Sequence, residues 1–339
     1  MMQPTILIKG LISRLCFQSG FIHNKLRRLG NDSYCILMYH RIMRPDECEM
    51  YLQPGMFVKP ETFKMHMKTL LSETTVISLN EVLNSVGRGT GKTSSKPLCA
   101  VTFDDGWKDF YDNAFPILKS MNVPATVYLP TNFIGTNRWF WTDRLTYIWK
   151  QRTMLAFKSS NPVLQELSCI SGSFASQIEK ALAILKKQPL DTIEPLLNEL
   201  AMACGVSPSI PDRAFLNWRE VKEMLDSGLI GFGSHTAEHH ILTTIDKHEI
   251  ENELLVSKQK LIEECVVHPY FVSFCYPNGN YSDGIERLVK KSGYTFAVTT
   301  KTGWNTLSQD PFALNRIGIH QDIASTKPMF LSRITGLFS

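Results

Sequence analysis

The chain has 339 residues, 43% of them apolar and 20% charged, a balance that excludes a peptide, a disulfide-stapled miniprotein and wholesale disorder. The net charge is only +4, and no extended Lys/Arg run or RNA-binding signature is present, which excludes a dedicated nucleic-acid binder. No uninterrupted apolar run approaches the roughly 18 residues that a membrane-spanning helix needs.

Residues 1–30 carry Lys9, Arg14, Lys25, Arg27 and Arg28 and no acidic residue, so the rest of the chain is close to neutral. Ile8, Leu11, Ile12, Leu15, Ile22 and Leu26 recur at three- and four-residue steps, which predicts a basic amphipathic helix. Lys9 and Arg14 interrupt the apolar run and no small-residue cleavage site follows, so no cleaved secretory signal is expected. Two readings of residues 1–28 stand: a helix lying on an anionic membrane surface, or a leading helix docked on the protein's own core. The eight cysteines, Cys48 among them, never form Cys-x-x-Cys; free, buried thiols in a reducing cytosol are expected, with no zinc ribbon. The expected location is therefore cytoplasmic, either free or peripheral on the inner face of the membrane.

Beyond residue 30, β-rich apolar runs predict strands at Ile36–Tyr39, Thr75–Leu79, Leu98–Phe103, Ala125–Leu129, Ile230–Ser234, Phe271–Cys275, Phe296–Thr300 and Leu314–Ile319. Helical patterns fall between them at Pro60–Leu71, Asp109–Met121, Trp218–Ser227, Lys247–Glu264 and Tyr281–Ser292. This alternation predicts a parallel α/β barrel over residues 31–325, followed by a C-terminal tail at 326–339. Residues 140–215 break the rhythm and are read as a helical insertion. The aromatic run Trp139-Phe140-Trp141 at its start is suited either to stacking on sugar rings or to plugging the barrel rim.

Chemistry-bearing residues collect at the C-terminal ends of these strands, where α/β barrels place their active sites. Thr102-Phe103-Asp104-Asp105-Gly106 sets two adjacent carboxylates at a strand end, costly unless a cation sits beside them or one is protonated. Ser234-His235-Thr236-Ala237-Glu238-His239-His240 offers two histidines four apart, a spacing that on one helical turn aims both imidazoles the same way. Asp105, His235 and His239 together make a two-imidazole, one-carboxylate set of the kind that holds catalytic zinc, with Asp104 free beside it as a general base. A non-haem iron oxygenase fits less well, because its histidine and carboxylate usually stand as His-x-Asp/Glu. A glycosidase fits poorly too, since its carboxyls are about 5–9 Å apart and flank one bond. Tyr276-Pro277-Asn278-Gly279 forms a turn whose backbone N–H groups could face an oxyanion, and His40, Arg316 and His320 end further strands.

These motifs in this order resemble the polysaccharide deacetylase family, the NodB-homology or carbohydrate esterase family 4 enzymes, over roughly residues 36–320. The resemblance implies a distorted (β/α)7 barrel of NodB-homology type and a hydrolase that removes N-acetyl groups from amino sugars of a polysaccharide or lipid-linked glycan. It implies Asp104 as catalytic base and Asp105, His235 and His239 as ligands of a divalent metal, usually zinc. Tyr276, Pro277, Asn278 and Arg316 are carried over as the substrate and oxyanion side. The family's third motif has an Arg that braces the base; Cys275 stands about there, leaving Arg316 or Lys108 as replacements. The general acid is His40, by likeness to the early motif of biofilm poly-N-acetylglucosamine deacetylases, or His320. Because the motif Arg is absent, a catalytically impaired carbohydrate-binding relative stays open, as does a deacylase of another amide or ester.

Overall fold

The computed structural model describes residues 4–29, 33–44, 55–87, 96–152, 159–207, 212–306 and 308–338. Its strands in chain order are β1 (Ser33–Tyr39), β2 (Arg41–Ile42), β3 (Phe57–Val58), β4 (Thr75–Val76), β5 (Leu98–Phe103), β6 (Ala125–Leu129), β7 (Ile230–Ser234), β8 (Ser273–Cys275), β9 (Phe296–Val298), β10 (Asn305–Thr306) and β11 (Ile317–Gly318). The central ones are near-continuous apolar runs buried along their length, as parallel strands covered on both faces must be.

β1, β5, β6, β7, β8 and β9 follow one another in parallel. Leu314 bridges to Val298 of β9, and three residues later β11 pairs with β1 at Leu37↔Ile317. The segment 314–318 therefore joins the two ends of the path and completes seven parallel positions. Short ladders at β8 and at Leu314 make this (β/α)7 barrel a distorted one.

Local chemistry moves several element boundaries from their expected places. The strand expected at Thr75–Leu79 stops at Val76, because Ser78 caps the helix Leu79–Gly87: it takes the Glu81 N–H while the Glu81 carboxylate takes the Ser78 N–H. The helix expected at Asp109–Met121 opens as a wide π-turn over Phe110–Ala114 before the α-helix Phe115–Met121. Pro116 in its first turn has no N–H to donate backwards. The single N-terminal helix is instead two, Pro4–Gln18 and Phe21–Arg28, separated at Gly20, whose φ of 76° suits glycine. The expected tail at 326–339 contains the helix Lys327–Ile334, which buries Met329, Phe330, Leu331 and Ile334.

The chain forms two compact units, one spanning residues 1–44, 54–136 and 215–339 and carrying the barrel, the other built on Asn137–Ala214. The second is helical: Trp141–Gln151, Pro162–Ser168, Phe174–Leu185 and Leu190–Ala203 close around Leu145, Ile148, Leu185, Leu197 and Leu200. Buried Arg144 ties Glu194 and Asn198 together inside it. Trp139 lies edge-on to Tyr147 and donates its indole N–H to the Asp212 carbonyl, and Trp141 packs on the same helical core. The aromatic run thus serves the helical unit itself. Among the described cysteines none is paired; Cys35, Cys99, Cys204 and Cys275 are buried, whereas Cys169 and Cys265 are exposed, and Cys48 lies outside the described residues.

Candidate active site

Parallel register assembles the site. β1 lies between β5 and β11, with Met38 opposite both Thr102 and Gly318, so continuing the register sets His40 beside Asp104 on one side and beside His320 on the other. The Asp104 N–H donates to the Tyr39 carbonyl at 3.0 Å and locks the two strand ends. Gly106 then turns the chain at φ 62°, where an added Cβ would stand 2.8 Å from Leu129.

The two adjacent carboxylates are both buried and are treated oppositely. Asp104 is gripped by Arg316, whose two terminal nitrogens reach its two oxygens at 2.6 and 2.7 Å. Arg316 is fully buried and also donates to the Thr299 carbonyl, the Thr102 hydroxyl and the Cys275 sulfur. It is the brace, and the expectation that it contacts substrate is corrected, since its donors are engaged within the barrel. The buried Cys275 is small enough to admit the guanidinium, which approaches its sulfur at 3.2 Å. Lys108, the other replacement, pairs instead with Asp112 on the surface. Burial pushes the Asp104 carboxyl up, but the Arg316 charge and hydrogen bonds, with His235 and His40 behind them, bring it below the ordinary value.

Asp105 points the other way. Its φ of 73° is left-handed, its Oδ2 accepts the Trp107 indole N–H at 3.0 Å, and its Oδ1 lies 3.4 Å from His235 Nε2 and 3.2 Å from His239 Nε2. Burial raises its pKa, yet hydrogen bonds from the two histidines hold it well below the carboxylate range. His235 turns Nδ1 to the Cys275 carbonyl at 2.8 Å, which leaves Nε2 aimed at Asp105. The two histidines do not share a helical turn as expected. They converge from a loop in which Thr236 and His239 are both left-handed, held by buried Glu253, whose carboxylate accepts the Ala237 and Glu238 N–H groups.

Asp105, His235 and His239 keep three ligand atoms within 4.8 Å of one another, and the donor set suits a divalent ion. Asp104, His235 and Cys275 are grouped as closely, but Asp104 and Cys275 already face the Arg316 cation, which disfavours a second positive charge there.

His40 is partly exposed, its Nε2 4.0 Å from Asp104. His320 stands one strand further on, nearer Asp322 at 3.6 Å, and its burial lowers its pKa. Tyr276 does not offer its ring to a substrate: it is fully buried, donates its hydroxyl to the Phe312 carbonyl and stacks on Tyr281. Pro277 is buried, while Asn278 is exposed at φ 56°, at the tip of the turn. Sequence reasoning missed Trp107, Arg41, Asp109 and Glu253. Arg41 lies on the face of Trp107 at 4.2 Å and pairs with Asp109 at 2.8 Å, joining the loop after β1 to the one after β5. The signal for Trp107 was its place directly after Asp104-Asp105-Gly106.

The comparisons with known proteins agree with this geometry. The polysaccharide deacetylase family matches residues 91–297, more than half of the chain, and the protein belongs to that family of deacetylating hydrolases. It is 22% identical over 330 residues to a poly-β-1,6-N-acetyl-D-glucosamine N-deacetylase of Staphylococcus epidermidis, covering 93% of this chain and 88% of that one. It is likewise 22% identical over 284 residues to a putative polysaccharide deacetylase, YxkH, of Bacillus subtilis, covering 84% and 70%. In structure it resembles IcaB from Ammonifex degensii, with a TM-score of 0.56 at 15% identity over 91% and 99% of the two chains. The Streptococcus pyogenes deacetylase PplD, solved with acetate, gives 0.55 at 21% over 86% and 94%.

Proposed function

We propose that the protein removes N-acetyl groups from amino sugars of a polysaccharide or lipid-linked glycan, using a water activated beside a divalent metal, zinc being the ion these ligands suit best. The observation that carries the reading is the opposite orientation of Asp104 and Asp105: one braced by Arg316, the other open to two imidazoles. Asp105, His235 and His239 would hold the ion, which would supply Lewis-acid polarisation of the acetyl carbonyl and a water of lowered pKa. Asp104, kept ionised by Arg316, takes a proton from the attacking water. His40, beside Asp104, gives a proton to the amine nitrogen as the C–N bond breaks, so that one acetamide and one water yield acetate and a free amino sugar. The likeness to a poly-N-acetylglucosamine deacetylase supports an N-acetylated glycan as substrate. The impaired-relative reading loses its premise, because the brace is present.

The basic N-terminal segment supports an activity at the inner face of an anionic membrane, on a glycan carried there. The first test is acetate release from N-acetylglucosamine oligomers. A chelator is expected to abolish it and zinc to restore it. Asp104→Asn is expected to retain metal and lose about 10³-fold in rate; undiminished metal-dependent release from that variant would remove Asp104 as the base.

A further inference from the structure

Helix Pro4–Gln18 is apolar on two opposite sides, and the protein covers one of them. Ser13 is buried, Ile6 and Phe17 are half-buried, and Gly10 faces Met329 of helix Lys327–Ile334. On the far side Leu7, Ile8, Leu11 and Leu15 are 57–62% exposed, with Ile12 beside them. At 3.6 residues per turn these five make a stripe about 140° wide, continued by exposed Phe21 at the start of the next helix. Arg14 borders the stripe on one edge, while Lys9 lies towards the covered side with its ammonium over the Phe338 ring.

Helix Phe21–Arg28 fixes the pair to the protein. Its Ile22 and Leu26 are buried, and Lys25 donates to the Gly336 carbonyl. Its exposed Arg27 and Arg28, like Arg14, meet no carboxylate among the described residues. A groove of about 580 Å³ opens beside the stripe, sharing Leu7 and Leu11 with it and lined further by Arg14, Phe17, Pro328 and Met329.

Charge decides what covers this face. A second copy would bring the same patch against itself in a two-fold contact, setting cation against cation with no acid in residues 1–30 to answer. An anionic bilayer answers both parts at once, with acyl chains for the stripe and phosphates for its borders. We infer that helix Pro4–Gln18 lies in the headgroup layer of an anionic bilayer, with Leu7, Ile8, Leu11 and Leu15 at the acyl boundary and Arg14, Arg27 and Arg28 on lipid phosphates. The inference deepens the membrane part of the proposed function and does not depend on the deacetylation chemistry.

Flotation of the full chain tests it, with phosphatidylcholine vesicles against vesicles that are one third phosphatidylglycerol. Binding is expected to be at least about 10-fold stronger to the anionic vesicles. Leu11→Glu/Leu15→Glu is expected to lose that binding while releasing acetate from soluble oligomers at the wild-type rate. Equal binding to both vesicles, no binding to the anionic ones, or binding unchanged in the variant would overturn the inference. So would a wild-type dimer in sedimentation equilibrium that the variant converts to monomer, which would assign the face to a second copy. A failure of the deacetylase reading shows separately, as absent acetate release with vesicle binding intact.

Discussion

The two halves of the active site differ in how they hold a carboxylate. On the base side Asp104 is clamped by a guanidinium that reaches across from the last strand, 212 residues away. On the metal side Asp105 is steadied through one oxygen by Trp107, its near neighbour in sequence, and the other oxygen is left to two imidazoles. Adjacent acids thus meet different surroundings: Asp104 has both oxygens on one guanidinium, whereas Asp105 keeps one oxygen turned to two imidazoles.

Substitutions that touch one half alone test this division. Arg316→Met, which strands a buried carboxylate, is expected to cost about 3–5 kcal/mol of stability in denaturant melts. In the folded fraction it should move the acid limb of the pH–rate profile upward, since Arg316 is what keeps Asp104 ionised, while metal content stays at the wild-type level. Loss of metal in this variant would show the halves to be one unit. His40→Ala should lower the rate by about 10²-fold at saturating metal, with His320→Ala within a few-fold of wild type. The reverse order would transfer the acid to His320. Trp107→Phe removes only the support of Asp105, so metal affinity by competitive titration should weaken about 10-fold with little change in rate once the site is saturated.

His66 is one source of acid sensitivity in the fold. It is buried, takes the Tyr39 hydroxyl proton at Nδ1, donates Nε2–H to the Ala324 carbonyl and stacks on Phe330. Burial lowers its pKa from 6.5 to about 4. The unfolded chain therefore binds the proton first, and stability complete above pH 6.5 falls by about 3 kcal/mol as the pH drops to 4. His66→Gln should flatten that slope, measured by thermal melts across the range.

The metal half was legible in the sequence because its residues stand in short runs at strand ends. Asp104-Asp105-Gly106 and His235…His239 need only a strand before them to be placed. The strands themselves were legible where burial is continuous, as in β5 and β6, and less so where a cap intervened, as Ser78 does. The brace of Asp104 was legible only as a choice between Arg316 and Lys108. Nothing local distinguishes Arg316 from another strand-end arginine, and its pairing with Asp104 follows from closure of the barrel, a property of the whole ring. The loop geometry of His239 was hidden for a similar reason, because Glu253 fixes it from a separate helix. The N-terminal charge and apolar stripe are both legible in the sequence, whereas the division of that stripe into an exposed part, Ile8 to Leu15, and a buried part, Ile22 and Leu26, follows from the break at Gly20.

Arg316 belongs to the segment 314–318 that closes the ring, and its guanidinium touches groups after β5, β8 and β9. The guanidinium that grips Asp104 therefore comes from the last parallel position of the barrel, whereas Asp105, His235 and His239 all precede β9 in the chain, so the environment of Asp104 depends on closure of the ring in a way that the Asp105 cluster does not.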